Sequence, residues 1–250
     1  MRFAARARAA ADWLMHRFDL ELRRYRYTLE AQRARFLLTR EIDVLLDIGA
    51  NIGQFGRSVR RSGYRGEIVS FEPLPGAFQE LQRCIRRDER WTARQLAVGD
   101  RDAPIRIHVA GNSVSSSVLP MLPRHKAVAP NSSYVDSVDV TMCRLDSLAS
   151  SLGVPPRSVF LKLDVQGFES AVLEGAREIL PYVQAVQTEL SAVALYEGQS
   201  AWTDVASTLV AAGLGLACME RAFTDPDGAH ILQYDALFVR PIDGAGGMLR

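Results

Sequence analysis

Residues 47–53 combine an acidic side chain with two glycines at a spacing that suits a ligand-binding loop. Asp47 closes a short apolar run, and Gly49 and Gly53 follow where the chain turns into a predicted helix. Glycine tolerates positive φ angles and lets a ligand approach the backbone closely, while the start of a helix offers unpaired N–H groups. The acid favours a cationic ligand, because opposite charges attract most strongly where water is scarce.

Two kinds of nucleotide ligand are compatible with such a loop. A dinucleotide fingerprint requires the spacing G-x-G-x-x-G, but counting from Gly49 the second and third glycine positions hold Asn51 and Gln54. Glu72 ends the next apolar run, where a carboxylate can accept hydrogen bonds from both hydroxyls of a ribose. The loop and Glu72 together favour an adenosine ligand with a cationic group.

The residues expected to hold this ligand lie in the loop and at the ends of the second and third predicted strands. They are Asp47, Gly49, Ala50, Asn51, Gly53, Phe55, Glu72, Pro73, Ala97 and Val98. Ala97 and Val98 close the predicted third strand, so we expect them to line the adenine.

Three further polar residues, Lys162, Asp164 and Glu189, lie at the ends of two later strands and are the candidate catalytic residues. A carboxylate at this edge of the sheet could accept the proton of a reacting hydroxyl. The alternative for Asp164 is the cap of a helix. Lys162 projects to the same face as Asp164, and a lysine inside a buried strand needs a partner. It either neutralises Asp164 or Glu189, which would lower the pKa of that carboxylate and make it a poorer base, or it forms a structural ion pair.

Four residues are candidates for binding the second substrate. Ser115 and Ser116 belong to a polar loop, Glu169 could instead complete a capping arrangement, and His230 lies in a predicted loop where a surface role is more common. His125 is an alternative base, since an unperturbed imidazole titrates near neutral pH. No cluster of His, Asp or Glu has a metal-ligand spacing, so we expect no metal.

These residues require a scaffold of parallel strands, and from residue 43 onward short apolar runs alternate with helical segments, as in βαβ units. Strands are predicted at 44–47, 67–72, 93–98, 158–164 and 183–189, and helices at 53–62, 76–87, 168–180 and 202–212. Residues 214–220 and 231–240 predict an antiparallel hairpin across a turn at 225–228. The expected fold is α/β and Rossmann-like, with a doubly wound, mainly parallel sheet and a C-terminal antiparallel hairpin.

Residues 101–144 interrupt this alternation. Residues 105–109 and 134–141 alternate as half-exposed strands would, and a polar loop at 111–117 lies between them. We expect an inserted antiparallel segment within one domain spanning 41–245. A chain of 250 residues with 48% hydrophobic content can bury one substantial core.

The first 40 residues differ from the rest in charge. They carry ten arginines and four acids, whereas the net charge of the whole chain is +1. Apolar residues recur at three- and four-residue steps, which predicts an extra N-terminal, basic amphipathic helix over 1–40. Its apolar side either covers the sheet or a homodimer partner, or it makes a peripheral membrane contact. The preference for arginine over lysine throughout the chain weakens the membrane interpretation.

Composition restricts the compartment and the partners. No run of eighteen apolar residues is present, so no transmembrane helix is predicted, and the N-terminus lacks the apolar region of a secretory signal. Cys84, Cys143 and Cys218 form no CxxC pair and indicate neither a zinc site nor a disulfide framework. We expect a soluble, cytoplasmic protein that has no nucleic-acid partner.

Three segments resemble the signatures of one known family. Residues 47–55 are similar to its DxGANxGxF loop, residues 71–73 to its FEP segment and residues 162–169 to its KxDVxGxE segment. The family is that of the FkbM-type S-adenosylmethionine-dependent methyltransferases. The resemblance extends over about residues 43–240 and leaves out 1–40.

This resemblance implies a class I methyltransferase sheet with S-adenosyl-L-methionine as the methyl donor. It also implies a small-molecule or glycolipid acceptor, methylated on a hydroxyl of a sugar, glycolipid or polyketide-type product. N-methylation of an amino sugar, peptide or protein is an alternative on the same fold. A nicotinamide oxidoreductase, which the glycine spacing disfavours, and a non-catalytic nucleoside-binding module are alternatives of other classes, because a fold does not imply a function.

Overall fold

The structure is a computed structural model that describes residues 15, 18, 25–155, 157–228 and 230–241. Most of the helix predicted over 1–40 therefore lies outside the described residues, and its proposed membrane or dimer contacts stay predictions. No helix in the described part of the chain is both long and apolar enough to cross a lipid bilayer.

The helices and strands of the described residues alternate along most of the chain. The strands are β1 Val44–Ile48, β2 Glu67–Phe71, β3 Trp91–Arg94, β4 Ala97–Val98, β5 Ala103–Ala110, β6 Tyr134–Cys143, β7 Val159–Leu163, β8 Val183–Ser191, β9 Gly215–Thr224 and β10 Ile231–Val239. The α-helices are α1 Leu29–Thr39, α2 Gln54–Arg61, α3 Pro75–Ile85, α4 Pro123–Val128, α5 Leu145–Leu152, α6 Glu169–Glu174 and α7 Trp202–Ala211. Short 3-10 helices occupy Tyr25–Tyr27, Pro130–Ser132 and Leu180–Tyr182.

Seven strands form the central sheet in the order β3-β2-β1-β7-β8-β10-β9. Strand β10 is antiparallel to both of its neighbours, whereas the pairs from β3 to β8 are parallel. The strand order reverses between β1 and β7, and in such a sheet ligands bind beyond the carboxyl ends of the strands at this point. The prediction of a doubly wound, mainly parallel sheet with a C-terminal antiparallel hairpin is confirmed.

The inner strands β1 and β7 are buried at every residue, because the two faces of the sheet are both covered. One face packs into a core that includes Leu46, Leu161 and Leu173, and the other into a core that includes Leu45 and Phe160. Side chains alternate between the two faces along a strand. Neighbouring residues of β1 therefore contribute to different cores.

The predicted third strand, 93–98, is divided in the structure, so its prediction as one strand is wrong. Strand β3 ends at Arg94, and Ala97–Val98 turns away as β4 to pair with β6 in a second sheet of order β4-β6-β5. Strands β5 and β6 are antiparallel to each other and lie within 101–144. An apolar pattern does not show that a chain changes sheets, because both strands bury residues in the same periodicity.

The helix predicted at 168–180 is shorter than expected, since α6 ends at Glu174. Gly175 follows it, and a Cβ atom at this position would lie 1.9 Å from the carbonyl oxygen of Gly99. Only glycine permits so close an approach between two backbones. The end of α6 at Gly175 therefore packs directly against Gly99, the residue that follows β4.

Helix α1 packs on the sheet beside β9 and β10. Leu29 and Leu37 are buried in the core that contains Leu45 and Phe160. The Thr28 side chain accepts a hydrogen bond of 3.2 Å from a backbone N–H in the first turn, which caps the helix. The described end of the N-terminal segment thus covers the sheet.

Truncation of Leu37 to alanine should lower the free energy of unfolding by about 2–5 kcal/mol, because it leaves a cavity between α1 and the sheet. Leu38 is 57% exposed, so Leu38→Ala is the matched control and should change that free energy by less than about 0.5 kcal/mol. Urea unfolding followed by circular dichroism measures both effects. Equal losses in the two variants would contradict the packing of α1.

Candidate active site

A cleft of about 340 Å³ opens at the carboxyl ends of the central strands, next to the point where the strand order reverses. Its volume lies in the range of roughly 300–1,000 Å³ that is usual for small-molecule sites. We call the residues at the ends of β1, β2 and β4 the β2 side of the cleft. The lining residues near the ends of β7 and β8, together with Asp235 of β10, form the β8 side.

The loop between β1 and α2 is shaped by a close approach of two backbones. Gly49 has a φ of +77°, and a Cβ atom there would lie 1.9 Å from the carbonyl oxygen of Asp164. Both the conformation and the contact require glycine. Asn51 also has a positive φ, 47°, and Gly53 begins α2 with a φ of +84°. The loop therefore passes directly against the end of β7.

Glu72 follows β2 and is buried on the β2 side. One oxygen of its carboxylate accepts a 2.8 Å hydrogen bond from the N–H of Asn51, and the other a 2.8 Å hydrogen bond from the N–H of Leu74. Burial raises the pKa of Glu72 to about 7 although these donors act in the opposite direction. Val98 and Phe168 belong to the apolar lining nearby. A carboxylate beside apolar side chains fits a ribose with an attached base.

Asp47 does not line the cleft. It is fully buried, and its carboxylate accepts a 3.3 Å hydrogen bond from the hydroxyl of Ser70. Its other oxygen, Oδ1, lies 3.3 Å from Nζ of Lys162. The sequence predicts a cationic ligand beside Asp47, but the cation that faces it is a lysine of the chain itself.

Lys162 joins the two strands at the point where the strand order reverses. Its Nζ lies 3.3 Å from Oδ2 of Asp164 and donates a 3.1 Å hydrogen bond to the carbonyl oxygen of Gly49. Burial alone would lower the pKa of Lys162, but Asp164 and Asp47 outweigh burial and raise it, while burial raises the pKa of Asp47. Lys162 is thus a buried cation between two carboxylates. It forms a structural ion pair with Asp47, and the carboxylate at the cleft that it contacts is Asp164 and not Glu189.

Three carboxylates line the β8 side: Asp164 directly after β7, Glu189 on β8 and Asp235 on β10. Gln166 links two of them, since its Nε2 donates to Asp164 at 2.8 Å and to Glu189 at 2.9 Å. Its Oε1 accepts a 2.8 Å hydrogen bond from the hydroxyl of Tyr196. Burial and then the neighbouring Asp164 raise the pKa of Glu189 well above its ordinary value. Within the described ranges, no three His, Cys, Asp or Glu side chains are arranged to hold a metal ion.

Most of the predicted site residues meet in this cleft. Those that line it are Gly49, Ala50, Asn51, Phe55, Glu72, Pro73, Ala97, Val98, Ser116, Lys162, Asp164 and Glu189. Those that do not line it are Asp47, Gly53, Ser115, Glu169 and His230.

Each residue outside the lining has another role in the fold. Gly53 faces the core, where a Cβ atom would lie 3.4 Å from the ring of Trp91. Ser115 is buried and hydrogen-bonded within its own loop. Glu169 accepts a hydrogen bond of 3.2 Å from a backbone N–H that precedes α6, which is the capping alternative. His230 is exposed on the turn between β9 and β10, and its ring lies 2.9 Å from a carboxylate of that turn.

His125 is the alternative base predicted from the sequence. It is buried against the rings of Tyr196 and Phe223, outside the lining of the cleft. Burial lowers its pKa. Neither histidine is therefore placed to act on a molecule in the cleft.

The β8 side is also lined by Gln166, Gln187 and Asp235, which are not among the site residues predicted from the sequence. Gln187 lies two residues before Glu189 on β8, so their shared face is a signal that could have found it. Asp235 lies opposite Glu189 because of the register of β10 against β8. That register depends on tertiary pairing and has no counterpart in the local pattern.

The strand order and the antiparallel β10 are those of the class I methyltransferases, which use S-adenosyl-L-methionine as their methyl donor. The sequence model of the methyltransferase FkbM domain matches residues 47–233. The chain therefore belongs to the FkbM methyltransferase family, as the resemblance of its three segments predicts.

Several known proteins are similar to this chain. The 2-O-methyltransferase NoeI of Sinorhizobium fredii is 28% identical over 169 residues, which cover 65% of this chain and 69% of NoeI. Methyltransferase 1 of Beauveria bassiana is 27% identical over 142 residues, which cover 52% of this chain and 57% of that protein. Among solved structures, Aeropyrum pernix fibrillarin with bound S-adenosyl-L-methionine is 14% identical, with a TM-score of 0.45 over 80% of this chain and 67% of fibrillarin.

Replacement of Lys162 by methionine should destabilise the domain by about 3–5 kcal/mol at pH 8, because the buried carboxylate of Asp47 loses its compensating charge. A carboxyl group whose pKa folding raises favours the folded state most when it is protonated, and this contribution is lost as pH rises through the folded pKa. Since burial raises the pKa of Asp47, the deficit should shrink as pH falls toward 5. Urea unfolding of both proteins at several pH values measures the deficit.

The control for this variant is Asp47→Asn in the Lys162→Met background. Removing the buried charge should recover most of the lost stability and most of its pH dependence. A deficit of the same size at pH 8 and pH 5 would contradict the pairing of Lys162 with Asp47.

Binding of the product S-adenosyl-L-homocysteine should weaken as pH falls from 8 to 6. In the predicted role as ribose ligand, Glu72 accepts hydrogen bonds more strongly as the ionised carboxylate than as the protonated carboxyl, and its pKa is about 7. A group with this pKa changes the affinity by up to roughly tenfold over that interval. Isothermal titration calorimetry measures the dissociation constant at each pH.

The matched variant is Glu72→Gln, which removes the titrating group and keeps the size of the side chain. It should bind the product more weakly at pH 8 and show little change down to pH 6. An equal pH dependence in both proteins would assign the effect to another group.

Proposed function

We propose that the protein is an O-methyltransferase that acts on a hydroxyl of a sugar, glycolipid or polyketide-type small molecule. The observation that carries this proposal is the carboxylate of Asp164, which lines the cleft with its side chain 37% exposed. An alcohol must lose its proton when it is methylated, so a carboxylate within reach of the reacting oxygen suits an oxygen acceptor. The similarity to a 2-O-methyltransferase supports the same choice of atom.

The β2 side suits the methyl donor. Glu72 would hold the ribose, and the apolar side chains of Ala97, Val98 and Phe168 would contact the adenine. When bound, S-adenosyl-L-methionine supplies an electrophilic methyl group on its sulfonium. The chain has to hold the acceptor oxygen in line with that methyl group and exclude water from both.

The β8 side suits the acceptor. Asp164 would take the proton from the acceptor hydroxyl, because it is the carboxylate of this side that Lys162 and Gln166 both hold in position. The raised pKa of Glu189 favours its protonated form. We therefore place Asp164 in contact with the acceptor and Glu189 behind it as a support for Gln166.

Of the other residues predicted to bind the acceptor, only Ser116 lines the cleft. The Ser116 hydroxyl already donates to the carbonyl of Ser113 and accepts from the N–H of Ala110. Its hydroxyl thus has no free donor for the acceptor molecule and can only accept one further hydrogen bond. Ser115, Glu169 and His230 are not included in the proposed acceptor site.

The test is methyl transfer from labelled S-adenosyl-L-methionine to a panel of glycosides, glycolipids and polyketide-type alcohols. Asp164→Asn should lower kcat by about 10²- to 10⁴-fold, because the reacting hydroxyl loses its base. Its affinity for S-adenosyl-L-homocysteine, measured by calorimetry, should stay within about threefold, since the substitution adds no bulk to the β2 side.

Asp227→Asn is the control, because Asp227 is exposed on the turn between β9 and β10, and it should leave kcat unchanged. Nuclear magnetic resonance of the product identifies the methylated atom. A methyl group on nitrogen, or full activity of Asp164→Asn, would overturn the proposal. Binding of the product without turnover on any acceptor would favour a binding module instead.

A further inference from the structure

Helix α1 lies outside the residues that the family model matches, yet it brings a buried cation to the cleft. Arg33 of this helix is 5% exposed. Its guanidinium donates a 3.2 Å hydrogen bond to Oε1 of Gln187 and a 2.9 Å hydrogen bond to the hydroxyl of Ser58. It also lies over the ring of Phe55, 4.7 Å from the ring centroid. Both Phe55 and Gln187 line the cleft.

Arg33 determines which way the amide of Gln187 points. A guanidinium has donors and no acceptor, so the amide has to present its carbonyl oxygen to Arg33 and direct its NH2 group away from it. No hydrogen bond to this NH2 group is found among the described residues. Because Gln187 belongs to the lining, the unused donor is left for a molecule in the cleft.

This donor is unusual on the β8 side, where carboxylates predominate. Strand β8 places Gln187 on the same face as Glu189, and β7 places Lys162 opposite Gln187 and on the same face as Asp164. The Lys162 ammonium is engaged with Asp47, Asp164 and a backbone carbonyl. The NH2 group of Gln187 is therefore suited to an acceptor oxygen that the carboxylates would repel.

We propose that Gln187 binds the methyl acceptor by donating a hydrogen bond to a second oxygen next to the reacting hydroxyl, and that Arg33 is the positioning residue that orients it. The inference rests on the proposed function, in which Asp164 takes the proton of the reacting hydroxyl. A carboxylate for one oxygen and an N–H donor for its neighbour select a vicinal diol or an alkoxy alcohol. The acceptor class is thus a polyol or its ether, with a pyranoside as the test case, rather than an alcohol or phenol with a single oxygen.

The test compares variants of Gln187 on methyl hexopyranosides and on monodeoxy analogues that lack one neighbouring hydroxyl. Gln187→Glu keeps a partner for Arg33 but has no N–H donor, and Gln187→Met has no polar group. Each should raise KM for the glycoside about tenfold with kcat within about twofold, because the lost hydrogen bond contributes to binding before and during the reaction. On the deoxy analogue that lacks the contacted oxygen, the variants and the wild type should have equal KM values.

Arg33 is tested through the same readout. Arg33→Met frees the amide to reverse and should also raise KM for the glycoside several-fold, but in the Gln187→Met background it should add less than about twofold. Arg35 is exposed on the same helix, so Arg35→Met is the control for loss of an α1 charge and should leave KM unchanged. Thermal unfolding shows whether each variant is folded at the assay temperature.

The outcomes separate the two proposals. If the wild type fails to bind S-adenosyl-L-homocysteine or to methylate any hydroxyl, the proposed function fails. If it methylates simple alcohols or phenols and no glycoside, or if Gln187→Glu leaves KM for the glycoside unchanged in a folded protein, the role of Gln187 is overturned. An Arg33→Met effect that persists in full without Gln187 would overturn the positioning role of Arg33.

Discussion

The cleft depends on the ion pairs and the hydrogen bond that the buried ammonium of Lys162 makes. This ammonium lies between the carboxylates of Asp47 and Asp164 and donates to the carbonyl oxygen of Gly49, so it connects the end of β1 to the end of β7. Taking such charges out of water costs several kcal/mol per ion, and their attraction offsets this cost only when the geometry is good. The arrangement therefore fixes the positions of groups at the cleft more than it adds stability.

The close approach of the same two strand ends has a steric counterpart. Gly49 has no Cβ, and the loop after β1 can lie against Asp164 only for that reason. The loop then reaches Glu72, which holds the N–H groups of Asn51 and Leu74. The β2 side is thus positioned by backbone contacts, whereas the β8 side is positioned by side-chain hydrogen bonds through Gln166. This difference fits the proposed division of the cleft, with the methyl donor on the β2 side and the acceptor on the β8 side.

Helix α1 extends the site beyond the family domain. Its apolar side chains join the core of the sheet, and from this position Arg33 reaches two residues of the cleft lining. Burial lowers the pKa of Arg33, yet an arginine in a protein keeps its charge. A fixed cation in contact with Gln187 links a segment outside the matched region to the proposed acceptor site.

The sequence alone determined the class of fold, the loop after β1 and the place of Glu72, because these depend on residue types and spacings within single elements. It did not reveal that Asp47 faces Lys162, that Ala97 and Val98 belong to a second sheet, or that Asp235 and Arg33 lie beside the cleft. Those features depend on strand order, on the register of β10 against β8 and on the docking of α1. Only the tertiary structure decides them, because they join residues that are distant along the chain, and a local pattern carries no information about such partners.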